Sequence, residues 1–163
     1  MQGFNEITPH LFISNWYVSN DINFIQSKNI RAVITLETTP KPQNVVDYYR
    51  NHNIDFMYIP INDSENENIY QYFDPTFEFI NKHIDRGENV LVHCAAGISR
   101  SATIIIHYII RKFFQNDDLR NVNSLEFLNY IINEIRTIRA VNPNRGFIQQ
   151  LLSAIETYKT MYR

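Results

Sequence analysis

The stretch that decides the fold is residues 90–110, VLVHCAAGISRSATIIIHYII. Its first part predicts a buried β-strand that ends at His93, and its last part has the length and apolar character of a buried helix. Between them, residues 94–99 form a short loop of small side chains, which contains Gly97 and the only cysteine, Cys94. A strand, a tight loop and a helix that opens with Ser-Arg-Ser have the geometry of an anion-binding site.

The chemistry of loop 94–99 favours a phosphate-sized dianion. Successive loop N–H groups and the N-terminus of the helix direct free donors to one place, where the helix dipole adds positive potential. Ala95, Ala96 and Gly97 are small enough to let the backbone come close to a ligand. Arg100 adds a planar guanidinium that can bind two phosphate oxygens. Because the same potential favours the thiolate of Cys94, a nucleophile and a phosphate site are predicted to coincide.

These residues also have ordinary structural interpretations. A cysteine after a buried strand is most often a small core residue, although the glycine-containing loop and the immediate helix start are hard to explain as packing alone. His93 is expected to order the loop by hydrogen bonding rather than to titrate during catalysis. Ser101 is either a residue of the first helical turn or a hydroxyl donor to the sulfur of Cys94. No Gly-Lys-Ser/Thr sequence closes the loop, which excludes a nucleotide P-loop.

Outside this stretch, predicted strands and helices alternate. Strands are predicted at 7–14 (one or two), 30–36, 55–61 and 89–93, and helices at 16–27, about 45–51, 69–86, 99–114, 124–139 and 145–161. Residues 62–68, the acidic segment, are polar and predict a loop. The alternation indicates a single α/β domain: a central mixed, mostly parallel sheet flanked by helices, with loop 94–99 between the last strand and a helix.

Composition limits the classes of function. The chain has 163 residues, 44% hydrophobic and 20% charged, which is typical of one globular domain. Its formal charge of −2 gives no reason to expect a nucleic-acid partner. One cysteine allows no internal disulfide and fits a reducing compartment. The N-terminus lacks a leader pattern, and the longest apolar run, 102–110, is too short to span a bilayer, so we expect a cytoplasmic or nuclear protein without a membrane partner.

Residues 93–101, HCAAGISRS, match the His-Cys-five residues-Arg-Ser signature of cysteine-dependent protein tyrosine phosphatases. The wording AGISRS resembles the dual-specificity branch of that superfamily. Further similarity lies in LFISN at 11–15, in the acidic segment, and in PNRGF at 143–147 together with Gln150 and Leu151. By this resemblance the whole chain, 1–163, is expected to be one dual-specificity phosphatase catalytic domain.

The resemblance also implies roles for the residues of the signature. Cys94 would be the nucleophile that forms a cysteinyl-phosphate, and Ser101 would assist its breakdown. His93 and Asn144 would support the loop. The phosphate would be bound by Ala95, Ala96, Gly97, Ile98, Ser99 and Arg100.

A thiolate attack also needs an acid that protonates the leaving oxygen. Chemistry alone leaves four candidates, Asp55, Asp63, Glu65 and Glu67. The family carries its acid as an aspartate in a loop some thirty residues before the cysteine, and this implies Asp63. The family's Arg-Pro before Pro-Asn is not reproduced, since Arg139 is followed by Ala140.

The substrate is expected to be a phosphorylated protein. Ala95, Ala96, Ile98 and Ser99 are neutral, whereas phosphatases of this superfamily that prefer phosphoinositides carry basic residues in the loop. The chain leaves little room for a deep-pocket recognition loop, so phospho-Tyr and phospho-Ser/Thr are both expected substrates. No metal or other cofactor is expected, because the five histidines show no paired ligand spacing and thiol chemistry needs none.

Three alternatives remain open at this stage. The chain could be a pseudophosphatase that binds phosphoproteins without turnover. A sulfurtransferase or an arsenate reductase would also use a cysteine in an anion loop, although a reductase normally needs further thiols. Arg136, Arg139 and Arg145 could form a docking patch for an anionic partner, or they could simply be solvated cations near helix ends.

Overall fold

Five strands form one sheet in the computed structural model, which describes residues 2–162. They are β1 (Phe4–Thr8), β2 (Leu11–Ser14), β3 (Ile30–Leu36), β4 (Asp55–Ile59) and β5 (Asn89–His93). Their spatial order is β1-β2-β5-β3-β4; β1 and β2 are antiparallel, and all other neighbours are parallel. The prediction of a single α/β domain with a mixed, mostly parallel sheet is confirmed.

The central strand, β5, carries loop 94–99. It is parallel to both of its neighbours, β2 and β3. Val90 and Val92 pack into the core on one face of the sheet, and Leu91 packs into the core on the other, as the twofold repeat of a strand requires. Cys94 therefore lies at the carboxyl-terminal edge of the parallel strands, which is where open α/β sheets bind ligands.

Helices cover both faces of the sheet. The core beneath β5 on one side is completed by Phe24 and Ile25 together with Val45 and Tyr49. The larger core on the other side is built from the four longest helices. The α-helices within residues 2–162 are α1 (Trp16–Ser19), α2 (Ile22–Ser27), α3 (Gln43–Asn51), α4 (Phe73–Asp85), α5 (Arg100–Asn116), α6 (Ser124–Arg136) and α7 (Arg145–Met161).

Near the N-terminus, the helix predicted at 16–27 is two short helices. Asp21 interrupts it, because its side chain accepts hydrogen bonds from the N–H groups of Asn23 and Phe24 and so begins a new helix. The strand predicted at 55–61 ends at Ile59, since the following Pro60 has no N–H to donate to a ladder.

Two helix boundaries also differ from the prediction. The helix predicted at 69–86 begins with a 3-10 turn, Tyr70–Tyr72, before α4. The helix predicted at 124–139 ends at Arg136, where the N–H of Ile138 turns back to the carbonyl of Ile135. This early end leaves Arg139 outside the helix and free to reach the sheet. Among residues 2–162, no helix is both long enough and apolar enough to cross a membrane.

Candidate active site

Gly97 gives loop 94–99 its shape. Its φ is +69°, in the left-handed region that favours glycine. A Cβ atom at this position would lie 2.6 Å from the carbonyl oxygen of Ser14 and 2.8 Å from Nη2 of Arg139. Both the backbone conformation and the close approach of β2 therefore require glycine here.

Cys94 is buried and its sulfur has two polar neighbours. The Sγ atom lies 3.1 Å from Oγ of Ser101, and the N–H of Gly97 donates to Sγ over 3.3 Å. This contact is required if the Ser101 hydroxyl donates to the sulfur, but it is not required if Ser101 is only a residue of the first helical turn. The arrangement can stabilise negative charge on the sulfur.

Arg100 is buried at the start of α5 and is only partly satisfied. Its Nη1 donates to Oε1 of Glu37 at 3.2 Å and to the carbonyl of Ile61 at 2.9 Å. Its Nε is buried and has no hydrogen-bond partner among the described residues. An unsatisfied buried donor is costly, so this guanidinium can gain much by binding an anion.

Glu37 is a site residue that the sequence analysis missed. It follows β3 directly, and β3 is the parallel neighbour of β5. The carboxyl ends of parallel strands meet at one edge of the sheet, so an acid directly after β3 could have been predicted to lie near loop 94–99. The ion pair between Glu37 and Arg100 orients the guanidinium, and the Glu37 side chain is largely shielded from solvent.

His93 is fully buried at the end of β5. Its Nε2 lies 2.7 Å from the hydroxyl of Thr35, and its Nδ1 lies 3.2 Å from the carbonyl of Cys94. A carbonyl can only accept, so Nδ1 is the donor and Nε2 accepts from the hydroxyl. Burial holds the pKa of His93 well below its usual value, and the nearby charge of Lys41 adds to this effect. The ring is therefore neutral at physiological pH.

Lys41 is a second residue that the sequence analysis missed. Its buried ammonium donates to Oγ of Ser19 and to Oδ1 of Asn20, both at 2.7 Å, and lies 5.0 Å from the centre of the Trp16 ring. Burial lowers the pKa of Lys41 to about 7. The N–H of Trp16 donates to the carbonyl of Ala95 at 2.9 Å, so this group supports one side of loop 94–99.

Arg139 also supports loop 94–99. The structure therefore corrects two interpretations of Arg139, as part of an exposed docking patch and as a solvated cation. It is only 2% exposed. Its Nε donates to the carbonyl of Gly97 at 2.7 Å and its Nη2 to that of Ala96 at 3.0 Å, while Nη1 reaches Gln2 and Asn5 near the N-terminus. By holding these carbonyls on one side, Arg139 leaves the N–H of Gly97 directed at the sulfur.

Asp63 contacts loop 94–99 directly. Its Oδ1 accepts from the hydroxyl of Ser99 at 2.7 Å and from Nδ2 of Asn144 at 2.9 Å, and the N–H of Asn144 donates to the Ser99 hydroxyl at 3.1 Å. The acidic segment, loop 94–99 and the start of α7 therefore meet at Ser99. Asn144 also accepts from the N–H of Phe147 and so caps α7.

The other three carboxylates are placed differently. Asp55 begins β4, at the opposite edge of the sheet from Cys94, so the structure removes it as a candidate acid. Oε1 of Glu67 is occupied by the backbone and side-chain N–H groups of Asn62, both at 3.1 Å. Glu65 is exposed, and its backbone packs so closely against Gly146 that a Cβ there would clash.

Comparison with known proteins identifies the family to which the chain belongs. A model described as "Dual specificity phosphatase, catalytic domain" matches residues 11–157. The chain therefore belongs to the dual specificity phosphatase catalytic domain family, as the resemblance of residues 93–101 implied.

Individual relatives agree with this membership. Dual specificity protein phosphatase 22 of Xenopus tropicalis is 31% identical over 151 residues, which cover 91% of this chain and 63% of the frog protein. The chain thus spans less than two thirds of that relative's length. Among solved structures, the Yvh1 phosphatase domain from Chaetomium thermophilum has a TM-score of 0.80 at 25% identity, covering 94% of this chain and 96% of the other. The human tyrosine phosphatase-like serine/threonine/tyrosine-interacting protein has a TM-score of 0.76 at 28% identity, covering 95% and 97%.

Proposed function

We propose that this chain is a protein phosphatase that hydrolyses phospho-Tyr and phospho-Ser/Thr through a cysteinyl-phosphate on Cys94. The observation that carries the proposal is the open donor of Arg100: its buried Nε has no partner in the part of the chain that the structure describes. It belongs to the same strand-loop-helix unit in which the N–H of Gly97 and the hydroxyl of Ser101 lie next to the Cys94 sulfur. A phosphate dianion supplies the acceptors that these donors need.

Binding uses the backbone amides of loop 94–99 and the guanidinium of Arg100. Two oxygens of the substrate phosphoryl group accept hydrogen bonds from the guanidinium, and the third accepts from the loop amides. This arrangement places phosphorus in front of the Cys94 sulfur. Glu37 stays on Nη1 throughout and keeps the guanidinium plane fixed. No metal ion or other cofactor takes part in this scheme.

In the first chemical step the Cys94 thiolate attacks phosphorus. A bond between sulfur and phosphorus forms as the bond from phosphorus to the leaving oxygen breaks, and Asp63 gives its proton to that oxygen. The products are the dephosphorylated side chain, a cysteinyl-phosphate and the Asp63 carboxylate. The charge on the transferring group is stabilised by Arg100 and the loop amides.

In the second step water attacks phosphorus from the side that the first product has left. Asp63 takes a proton from this water, the sulfur–phosphorus bond breaks and inorganic phosphate leaves. The electron pair returns to the Cys94 sulfur, where the hydroxyl of Ser101, 3.1 Å away, stabilises the thiolate as a leaving group. The enzyme is then back in its starting state.

The class of substrate follows from the side chains of the loop. Residues 95–99 carry no charge, so this part of the loop offers no cation to the extra phosphates of an inositol lipid. A phosphorylated protein, of either phosphotyrosine or phosphoserine/threonine type, is the substrate we propose.

A phosphoprotein-binding module without turnover is the second candidate. It is favoured by one finding, the similarity to the human tyrosine phosphatase-like serine/threonine/tyrosine-interacting protein. Cys94, Arg100 and Asp63 are all present, however, and a module that only binds has no need of a nucleophile or an acid.

The two candidates are separated by hydrolysis of phenyl phosphate between pH 5 and 8 with EDTA present. Turnover by wild type, none by Cys94→Ser and a loss of about 10²-fold or more in Asp63→Asn would support the phosphatase. Glu65→Gln is the matched change on a neighbouring acid and is expected to retain the wild-type rate. A wild type that binds vanadate but does not turn over would instead establish the binding module.

A further inference from the structure

Hydrogen bonds within the acidic segment connect residues on either side of Asp63. Oε1 of Glu67 accepts from both the backbone N–H and the side-chain amide of Asn62, and the N–H of Glu67 donates to the carbonyl of Ser64 at 3.1 Å. Residues 62–67 thus form a small ring of hydrogen bonds that contains the proposed acid. The direction in which Asp63 points depends on how this ring is anchored.

One side chain anchors the far side of the ring. Gln150 on α7 donates from Nε2 to the carbonyl of Glu67 at 2.9 Å, and its Oε1 accepts from the backbone N–H of Tyr70, also at 2.9 Å. A further bond from Nε2 to the carbonyl of Gly146 at 3.2 Å fixes the amide on its own helix. The amide group therefore joins the end of the acidic segment to the first turn that follows it.

Among long, flexible side chains, an amide is suited to both contacts because it carries a donor and an acceptor. A carboxylate of the same length would accept from Tyr70 but could not donate to Glu67, and a lysine or arginine has no acceptor. Asn144, at the beginning of the same helix, holds the Asp63 carboxylate itself. Because a helix is rigid, α7 fixes the acidic segment at two separate points, one at the carboxylate and one behind it.

We propose that Gln150 is a positioning residue for the general acid: it acts through the backbone of the acidic segment and keeps Asp63 in the orientation needed to protonate the leaving group. The inference rests on the proposed phosphatase function and adds a residue outside the signature. The hydrogen bonds of Gln150 within residues 2–162 go to Glu67, Tyr70 and Gly146, not to Asp63 or to loop 94–99.

The test uses two aryl phosphates that differ in their need for an acid. Phenolate leaves poorly without a proton, whereas 2,4-dinitrophenolate leaves readily without one. We expect Gln150→Ala to reduce kcat/KM for phenyl phosphate by about 10- to 100-fold and to leave kcat/KM for 2,4-dinitrophenyl phosphate close to that of wild type, because kcat/KM reports only the steps up to departure of the leaving group. In the Asp63→Asn background, Gln150→Ala should have no further effect on phenyl phosphate.

Two further variants control the experiment. Gln149→Ala makes the same change at the adjacent exposed position and should match wild type on both substrates. Gln150→Glu keeps the size and the contact to Tyr70 but loses the donor to Glu67, so it should show the same selective loss even if the alanine variant folds poorly.

Each outcome has one interpretation. A wild type that is inert on both substrates overturns the proposed function and this inference with it. An active wild type with a Gln150→Ala variant that behaves like Gln149→Ala, or that slows both substrates equally, overturns the inference alone and leaves the phosphatase standing.

Discussion

The two edges of the parallel sheet differ in how the nitrogens of a buried side chain, His83 at one edge and Arg100 at the other, are paired. At the amino-terminal edge, both ring nitrogens of His83 have carboxylate partners at 2.9 Å, Asp55 and Glu88, and Lys82 adds a second contact to Asp55. At the carboxyl-terminal edge, Nη1 of Arg100 is satisfied, whereas its buried Nε has no hydrogen-bond partner within residues 2–162. The first cluster is complete without a ligand, whereas the phosphate that we propose as ligand would complete the second.

This difference separates a structural from a functional charge cluster. A cluster whose donors and acceptors are all paired ties elements together, here the end of α4 to the starts of β4 and β5. A cluster that leaves a buried donor open carries a cost in the free protein and recovers it on binding. Substitutions at the two edges should therefore affect different properties, activity at one and stability at the other.

The largest effect is expected from Arg100→Lys. The ammonium keeps the charge and a partner for Glu37 but loses the planar pair of donors, so kcat/KM for phenyl phosphate should fall by about 10²-fold or more. Arg86→Lys, the same change at the amino-terminal edge, should leave kcat/KM unchanged. An Arg100→Lys variant with near wild-type kcat/KM and an unchanged unfolding temperature would show that the open donor has no function.

A smaller effect, on stability alone, is expected from Asp55→Asn. Burial opposes ionisation of Asp55, but hydrogen bonds from His83 and Lys82 outweigh it and hold its pKa below the usual range. A lowered pKa means that the ionised form stabilises the fold above the unfolded value, about 3.9, and that this stabilisation is lost as pH falls through the folded value.

The measurement is urea unfolding of wild type and Asp55→Asn across pH. Because Asp55 is partly exposed, we expect wild type to be more stable by about 1 kcal/mol or less at pH 7, with the difference shrinking as the pH falls below about 4 and through the folded pKa. The rate of phenyl phosphate hydrolysis at pH 7 should be the same for both proteins. A difference in stability that grows as the pH falls would contradict the sign of the shift.

Local pattern was sufficient to predict the sheet and the strand-loop-helix unit. Residues 90–110 change from a buried strand to a buried helix over six residues, and nothing elsewhere in the chain is needed to interpret them. Helix ends were less predictable, because they depend on single side chains such as Asp21 and on local turns such as the one after Arg136.

The supporting residues of the site could not be predicted because their contacts span long stretches of chain. Arg139 looked like a solvated cation near a helix end, yet it binds the carbonyls of Ala96 and Gly97, more than 40 residues earlier. Lys41 had no feature that indicated burial next to Trp16. Such pairings are determined by how the β-strands and helices pack in three dimensions, and local sequence patterns do not show this packing.

The central claim is the covalent intermediate on Cys94, and Ser101→Ala is the variant that exposes it most directly. Without the hydroxyl 3.1 Å from the sulfur, the second step should slow more than the first. Rapid acid quenching of Ser101→Ala with an aryl phosphate should then give a burst of about one equivalent of phenol and a protein that is heavier by one phosphoryl group, located on the peptide that contains Cys94. Steady turnover by Ser101→Ala with no burst and an unmodified Cys94 would contradict the account.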